Sequence, residues 1–453
     1  MLDRYDVLVI GGGIAGLTAA KTVATAGKTV AVIEEKRLGG SYLFDYDVPS
    51  EVGLNAVKSA AALESIQKFG AKKRTLSLSL AGLARERVEV AKNVDDYWGE
   101  EAMRRAKVAV IGAKARFVDG EVEITKTGKM RHVAASRYIV ATGGKLNTSG
   151  IKIDASAKIW APSELWAATR LPKTLMIIGA GMSGVEMAYY AAKMGSRVVL
   201  IERESRLLPH EDEEVGRFYG LHFAKMGRVN AVLGAEVAEI SGRELLLKRG
   251  NSKQVLPITG TAQVVLATGQ QPNIDGLGLE TMGVRVGQHG VVVDQSLMTA
   301  NRRIYAVGNC VDNVSADLAM LMGKTAALSI VSRHAPIMSS AASPKVLNLV
   351  PAYARIGATE DELRRKKIEY KKSVVLLSEI PRGRIDSAEG FVCVLADTKS
   401  RVIGAKIIAP EAESMILALA AAVKYQMTAD ELLRVPVPLD SWNEAVRLAL
   451  AKI

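Results

Sequence analysis

A short apolar, β-branched run, Tyr5–Ile10 (YDVLVI), leads directly into Gly11-Gly12-Gly13-Ile14-Ala15-Gly16, and the same arrangement recurs at Thr174–Ile178 (TLMII) and Gly179-Ala180-Gly181-Met182-Ser183-Gly184. Each loop is followed by a stretch of helical character, Leu17–Ala26 and Val185–Met194, and then by a second β-branched run, Thr29–Ile33 and Arg197–Ile201. Those runs end on Glu34 and Glu202. This is the dinucleotide βαβ fingerprint, present twice. Gly11 and Gly179 permit the tight turn, Gly13 and Gly181 let the backbone approach a pyrophosphate, and Gly16 and Gly184 let helix sit close to strand. The helix N-termini present unpaired N–H groups to phosphate, and the terminal acids can accept from a ribose. Two complete copies imply two dinucleotides.

The chain has 453 residues, too long for one core. No apolar run approaches the ~18 residues of a membrane span, and the first strand begins almost at the N-terminus, so the expected location is cytoplasmic with no signal peptide. The two cysteines, Cys310 and Cys393, are far apart, and the five histidines form no ligand cluster. No disulfide framework or metal site is expected. The formal charge is +12, with local basic runs at Lys72–Arg74, Arg104–Lys107 and Arg364–Lys372. These read as solvated helix ends or as a steering field for a small acidic electron carrier. No nucleic-acid motif accompanies them.

The pattern between and beyond the loops predicts helices over Ala56–Phe69 and Leu83–Lys107 and short strands at Val108–Ile111, Ala115–Phe117 and Val122–Ile124. Two strands end in Ala-Thr-Gly, at Ala141-Thr142-Gly143 and Ala267-Thr268-Gly269, where small residues can pack against a nucleotide. A helix is expected at Leu318–His334 and a linker at Ala335–Ser343. A third block has strand candidates at Val346–Leu349, Val374–Leu377, Gly390–Leu395 and Arg401–Ile408, and helices at Ala412–Tyr425 and Asp440–Ala451.

From Gly39 onward the chain resembles the flavoprotein disulfide reductases, most closely the dihydrolipoamide dehydrogenases. Gly39, Gly40, Val48, Pro49 and Ser50 fit the family phrase G-G-T-C-x-x-x-x-C-x-P-S-K, with Ser41 standing for its threonine. The Gly269-Gln270-Gln271-Pro272-Asn273, Ile304-Tyr305-Ala306-Val307-Gly308-Asn309 and Ala354–Glu360 stretches resemble further family phrases. The resemblance runs from Tyr5 to about Ala451. It implies an α/β fold of two Rossmann-like dinucleotide-binding domains plus a C-terminal α+β dimerisation domain. Residues 1–150 and 270–335 would form the FAD domain, 151–269 the NAD(P) domain and 344–453 the dimerisation domain of a homodimer. FAD would be held by Gly11, Gly13, Gly16, Glu34, Gly40, Ser41, the backbone near Ala115, Thr142, Gly143 and Asn309. Gly179, Gly181, Gly184, Glu202 and Gly269 would hold NAD(H). Arg203 and Arg206 beside Glu202 keep NADP(H) open.

The departures bear on chemistry. Tyr42 and Asp47 stand where the family has its two redox cysteines, and Glu51 replaces the lysine that ends that phrase. Asn309 replaces the aspartate that binds the flavin ribityl chain, and Gln270 an arginine. Glu444 matches the family's C-terminal glutamate, but no histidine occurs from Gln426 to Ile453. Thiolate exchange needs thiols, so dihydrolipoamide dehydrogenase activity is not expected. Glu186, the family partner of the missing lysine, would face Glu51, and one of two facing carboxyls could hold a proton near neutrality. Three readings follow. The first is an FAD-dependent NAD(P)H oxidoreductase that passes hydride to a diffusible acceptor, such as a quinone docked near Tyr42, Phe44 and Tyr46. The others are a pyridine nucleotide transhydrogenase and a catalytically retired flavoprotein acting as a partner subunit or sensor. In the first, Tyr42, Asp47, Glu51, Glu186 and Glu444 are the candidate catalytic residues.

Overall fold

The computed structural model describes residues 4–70, 77–332, 337–338 and 343–453. The basic run Lys72–Arg74, His334 and part of the 335–343 linker lie outside them.

The first glycine loop sits at the C-terminal edge of a seven-stranded sheet. Strand Arg4–Ile10 is central, flanked in parallel by Val30–Glu34 and Lys129–Val140. Its residues Val7 to Ile10 are buried on both faces, which is why the strand reads as a continuous apolar run rather than an alternating one. Ile304–Ala306 returns from far along the chain to pair with the end of Lys129–Val140. Helices Ile14–Thr25 and Ala316–Val331 cover one face and pack tightly on each other. A Cβ at Gly323 would lie 2.1 Å from the Ala15 carbonyl oxygen, so only glycine allows that approach.

The second loop repeats the design. Strands Val229–Val232, Arg197–Ile201, Thr174–Ile178, Gln263–Leu266 and Ile159–Trp160 form a parallel sheet in that order. An antiparallel layer of Glu236–Ile240, Glu244–Arg249 and Ser252–Pro257 packs beside it. The two units are stitched by a small antiparallel pair, Gly144–Leu146 with Gln270–Pro272, where the chain leaves and re-enters the first unit. The third block is a five-stranded antiparallel sheet, Lys345–Leu347, Ala352–Gly357, Val402–Ala409, Phe391–Ala396 and Lys371–Leu376, and helices Ala412–Tyr425 and Asn443–Ala451 pack with it in one core.

Several boundaries differ from the sequence reading. The helix expected at Ala56 starts at Asp47, with Pro49 tolerated in its first turn, and ends in a 3-10 turn at Ile66–Phe69. The helix expected over Leu83–Lys107 is two, Leu80–Trp98 and Glu100–Arg105, because Gly99 is extended (φ −79°, ψ −178°) and restarts the chain. The Glu236–Pro257 layer was not anticipated, since the strand Ser252–Pro257 is mostly exposed and carries little apolar pattern.

Candidate functional site: a cavity between two glycine loops

A cavity of about 1510 Å³ is lined by both glycine loops and by segments of the third block. The two loops are near-copies in geometry. Gly11 and Gly179 have φ of +107° and +102°, in the left-handed region. A Cβ at Gly16 would lie 2.2 Å from the Gly11 carbonyl oxygen, and one at Gly184 would lie 1.9 Å from the Gly179 carbonyl oxygen. Nothing lies within 4 Å of the Cβ position at Gly13 or Gly181, so each loop faces open space at its middle glycine. Both helices, Ile14–Thr25 and Met182–Lys193, begin there without a side-chain cap, leaving N–H groups free for an anion. These loops fit pyrophosphates.

The terminal acids match each other as well. Glu34 accepts from the Gly12 N–H at 2.6 Å and the Lys36 N–H at 2.7 Å. Glu202 accepts from the Ala180 N–H at 2.7 Å and the Glu204 N–H at 3.0 Å. Each carboxylate is thus fixed against its own loop, with lone pairs left for ribose hydroxyls. Arg206 is engaged elsewhere, with Asp361 at 3.0 Å and the Pro209 and Glu211 carbonyls. Arg203 lies 3.5 Å from Glu204.

Gly40 lies against the first loop, its Cβ position 3.0 Å from the Gly13 Cα, and Ser41 lines the cavity. Gly143, Gly269 and Asn309 line it too. Thr142 is tied by its carbonyl to Asn273 at 3.3 Å. Ala115 is buried in the Lys114–Val118 strand, outside the cavity lining. The Asn309 amide donates to Gln270 Oε1 at 2.7 Å, and Gln270 also hydrogen-bonds Tyr46.

Tyr42 and Asp47 both line the cavity, beside Tyr46. Burial pushes the Asp47 carboxyl up to about 6, with Glu51 and Asp317 adding to the shift. Burial, Asp47 and Glu51 raise the Tyr42 phenol. Phe44 is not part of the expected aromatic pocket. Its ring stacks under the Arg37 guanidinium at 3.7 Å, because the single helical turn Gly40–Phe44 sends it away from the cavity. Glu186 is pushed up to about 8, first by burial and then by Glu51 and Asp47, against a hydrogen bond from the Asn348 N–H. Burial also raises Glu51, opposed by the Asn348 amide and Lys58. Glu444 is not brought to this cluster within the chain. It is held by Arg447 at 2.7 and 2.8 Å, which keeps it below the usual carboxylate range.

Sequence reasoning missed Asn348, Asp317 and Glu413, which also line the cavity. No local motif marks them. The third block and the Ala316–Val331 helix deliver them through tertiary packing.

The cysteines are separated. Cys310 is buried against the first sheet and Cys393 in the third block, and burial raises each thiol to about 11. Neither lines the cavity.

Residues 5–328 match the family described as pyridine nucleotide-disulphide oxidoreductase, and residues 343–449 match its dimerisation domain. The chain belongs to this family. FAD and NAD(P)H are the family's cofactors, and the dimerisation domain supports a homodimer. A mercuric reductase of Lysinibacillus sphaericus is 26% identical over 455 residues, covering 99% of this chain and 82% of the relative. Dihydrolipoyl dehydrogenase 3 of Pseudomonas aeruginosa is 27% identical over 468 residues, covering 99% and 98%. The crystal structure of LpdA from Mycobacterium tuberculosis superposes with a TM-score of 0.87 at 23% identity, covering 99% of each chain. The HOCl-induced flavoprotein disulfide reductase RclA from Escherichia coli superposes at 0.84 with 21% identity, covering 99% and 100%. Among the described residues no helix is long and apolar enough to cross a membrane.

Proposed function

We propose that this family member is an FAD-dependent NADH oxidoreductase that works without a protein disulfide and hands its electrons to a diffusible acceptor of the quinone class. The net reaction is NADH plus a proton plus quinone giving NAD⁺ and hydroquinone. The observation that carries the reading is the pair Tyr42 and Asp47 at the cavity wall in place of the cysteine pair, with both cysteines buried as high-pKa thiols in separate cores.

The first loop, with Glu34, Gly40, Ser41, Gly143 and Asn309, would hold FAD; the second loop, with Glu202 and Gly269, would hold the pyridine nucleotide. Bound FAD supplies the two-electron chemistry that the side chains lack. The preference for NADH rests on the fixed Glu202 carboxylate and on Arg206 being engaged by Asp361, which leaves it poorly placed to read a 2′-phosphate. Asp47, with a carboxyl near 6, is suited to give a proton to an acceptor oxygen as that oxygen gains charge. Tyr42 and Tyr46, both in the cavity lining, would give an aromatic acceptor apolar surface to pack against.

The test is steady-state NADH oxidation with a soluble quinone, before and after the protein is pre-reduced and treated with a thiol-alkylating reagent. Turnover that survives alkylation supports the reading. Turnover abolished by alkylation, or none with any quinone, rejects it.

A further inference from the structure

The turn that follows Glu202 is gripped from the third block. Residues 203–212 lead from the end of strand Arg197–Ile201 to the start of helix Glu213–Met226. Within this turn the Leu208 N–H donates to the Ala180 carbonyl of the second glycine loop at 2.9 Å. The next two residues, Pro209 and His210, line the cavity. Leu208 holds a φ of +51°, in the left-handed region. A leucine persists there only where its surroundings fix it.

The fixing contacts come from strand Ala352–Gly357 and helix Glu360–Arg365. Tyr353 and Arg355 lie two residues apart on the strand and so share a face. Both reach the same oxygen. The Tyr353 hydroxyl donates to Glu211 Oε2 at 2.6 Å, and Arg355 Nε lies 2.5 Å from it. Glu211 is 3% exposed, so these two partners replace water around its carboxylate. Arg206 Nη2 donates to the Pro209 and Glu211 carbonyls at 3.1 and 3.0 Å and to Asp361 Oδ2 at 3.0 Å. The Asp361 N–H donates to Asp212 Oδ1 at 3.1 Å. The turn is thus held by the glycine loop on one side and by the third block on the other, and Arg355 stands in the cavity wall where they meet.

We propose that Arg355 is a positioning residue for the pyridine nucleotide. Acting through Glu211, it keeps Pro209 and His210 set against the second glycine loop, so that a residue of the third block shapes the wall that receives the nucleotide. The proposal rests on the reading of the second loop as the pyridine nucleotide site, and it stands whatever the electron acceptor is. The first glycine loop belongs to a different sheet, so FAD affinity does not follow Arg355.

The experiment is isothermal titration calorimetry of the FAD-loaded protein with NAD⁺, which leaves the oxidised flavin unchanged. Arg355→Met is expected to weaken NAD⁺ binding by about 10-fold, mid-range for residues coupled in one network, with FAD affinity unchanged. Arg355→Lys keeps a cation for Glu211 and should recover most of the loss. Glu211→Gln is the second variant, because it breaks the pair without stranding a buried carboxylate, and the Arg355 side chain, 13% exposed, can then take water. It should weaken NAD⁺ binding to a similar extent. In that background Arg355→Met should add less than about 2-fold, because the two residues act as one unit. Binding equal to wild type in both single variants overturns the proposal. So does a second loss of the same size in the double variant, which would mean that Arg355 acts on the nucleotide directly. A parallel loss of FAD overturns it too, since the fold would then be loosening as a whole. Wild-type protein that binds no NAD⁺ rejects the reading of the second loop together with the proposal, and is thereby told apart from a failure of the pair alone.

Discussion

The Asn309 side-chain amide donates to Gln270 Oε1 at 2.7 Å, joining two neutral amides where the family phrases carry an aspartate and an arginine. Both charges are gone together, and the replacements bond to each other. Gln270 extends the link to Tyr46, so the amide pair connects the Gly308–Cys310 turn to the segment that bears Tyr42 and Asp47. Gln270→Ala strands the Asn309 amide and the Tyr46 hydroxyl. Since a net hydrogen bond is worth about 0.5–1.5 kcal/mol, FAD affinity should weaken by about 2- to 10-fold. Titrating apoprotein with FAD and following flavin fluorescence checks this, and unchanged affinity would count against a flavin-positioning role for the pair.

The glycines of the first loop should separate folding from binding. Gly16→Ala places a methyl 2.2 Å from the Gly11 carbonyl oxygen, and such overpacking costs about 1–3 kcal/mol. Gly13→Ala meets nothing within 4 Å, so it should leave the melting temperature of the apoprotein nearly unchanged while sharply reducing FAD binding. Gly181→Ala should do the same for the pyridine nucleotide alone. Differential scanning fluorimetry paired with ligand titration distinguishes the three.

The second nucleotide unit is clamped to the third block by Lys406, which is 3% exposed and lies 2.5 Å from Asp212, 2.6 Å from Glu214 and 3.8 Å from Glu360. Lys406→Met removes the cation held by Asp212, while Lys372 still pairs with Glu214 at 3.6 Å and Glu360 at 2.5 Å. A loss of about 3–5 kcal/mol is expected for breaking a buried ion pair from one side, measured by denaturant unfolding. A change below about 1 kcal/mol, the scale of a surface pair, would mean that the cluster is solvated in solution.

Glu186 also sets a pH dependence of stability. Its folded-state pKa, about 8, lies above its ordinary value of 4.5, so the folded state binds the proton more tightly. That contribution is complete below about 4.5 and is lost as pH rises toward 8, at up to about 1.4 kcal/mol per pH unit. Subtracting the stability-versus-pH curve of Glu186→Gln from that of wild type should give a difference that falls over this window and is flat above it. A difference that rises with pH would contradict the assignment.

The acceptor side should titrate lower. Burial holds Asp47 near 6, so its proton-donating form is lost as pH rises through that value. The rate of quinone reduction should fall across the same range. In Asp47→Asn it should be lower, by about 10²-fold or more for loss of a general acid, and lack that inflection. Stopped-flow reoxidation of the reduced protein over a pH series reads both.

The nucleotide loops were legible in the sequence because their demands are local and steric. Only glycine fits at Gly11 or Gly16, and only an acid ending the next strand reaches back to the loop N–H groups, as Glu34 and Glu202 both do. The lost cysteines at Tyr42 and Asp47 were legible for the same reason, as exceptions to a fixed phrase. Phe44 misled because a tyrosine- and phenylalanine-rich run resembles a pocket, whereas one helical turn aims its ring at Arg37. Asn348 left no sign in the sequence. Its partners lie 162 and 297 residues away, and the contact exists only once the third block docks.

The central claim is that electrons pass through the flavin and no protein disulfide. The most direct test is an anaerobic titration of the purified flavoprotein with NADH, following the visible absorbance of the oxidised flavin. The account predicts complete bleaching at one NADH per flavin, because the flavin alone takes the two electrons, and recovery when quinone is added. Uptake of two NADH per flavin would reveal a second two-electron centre, and a flavin that stays oxidised would show that NADH does not feed it; either result contradicts the account.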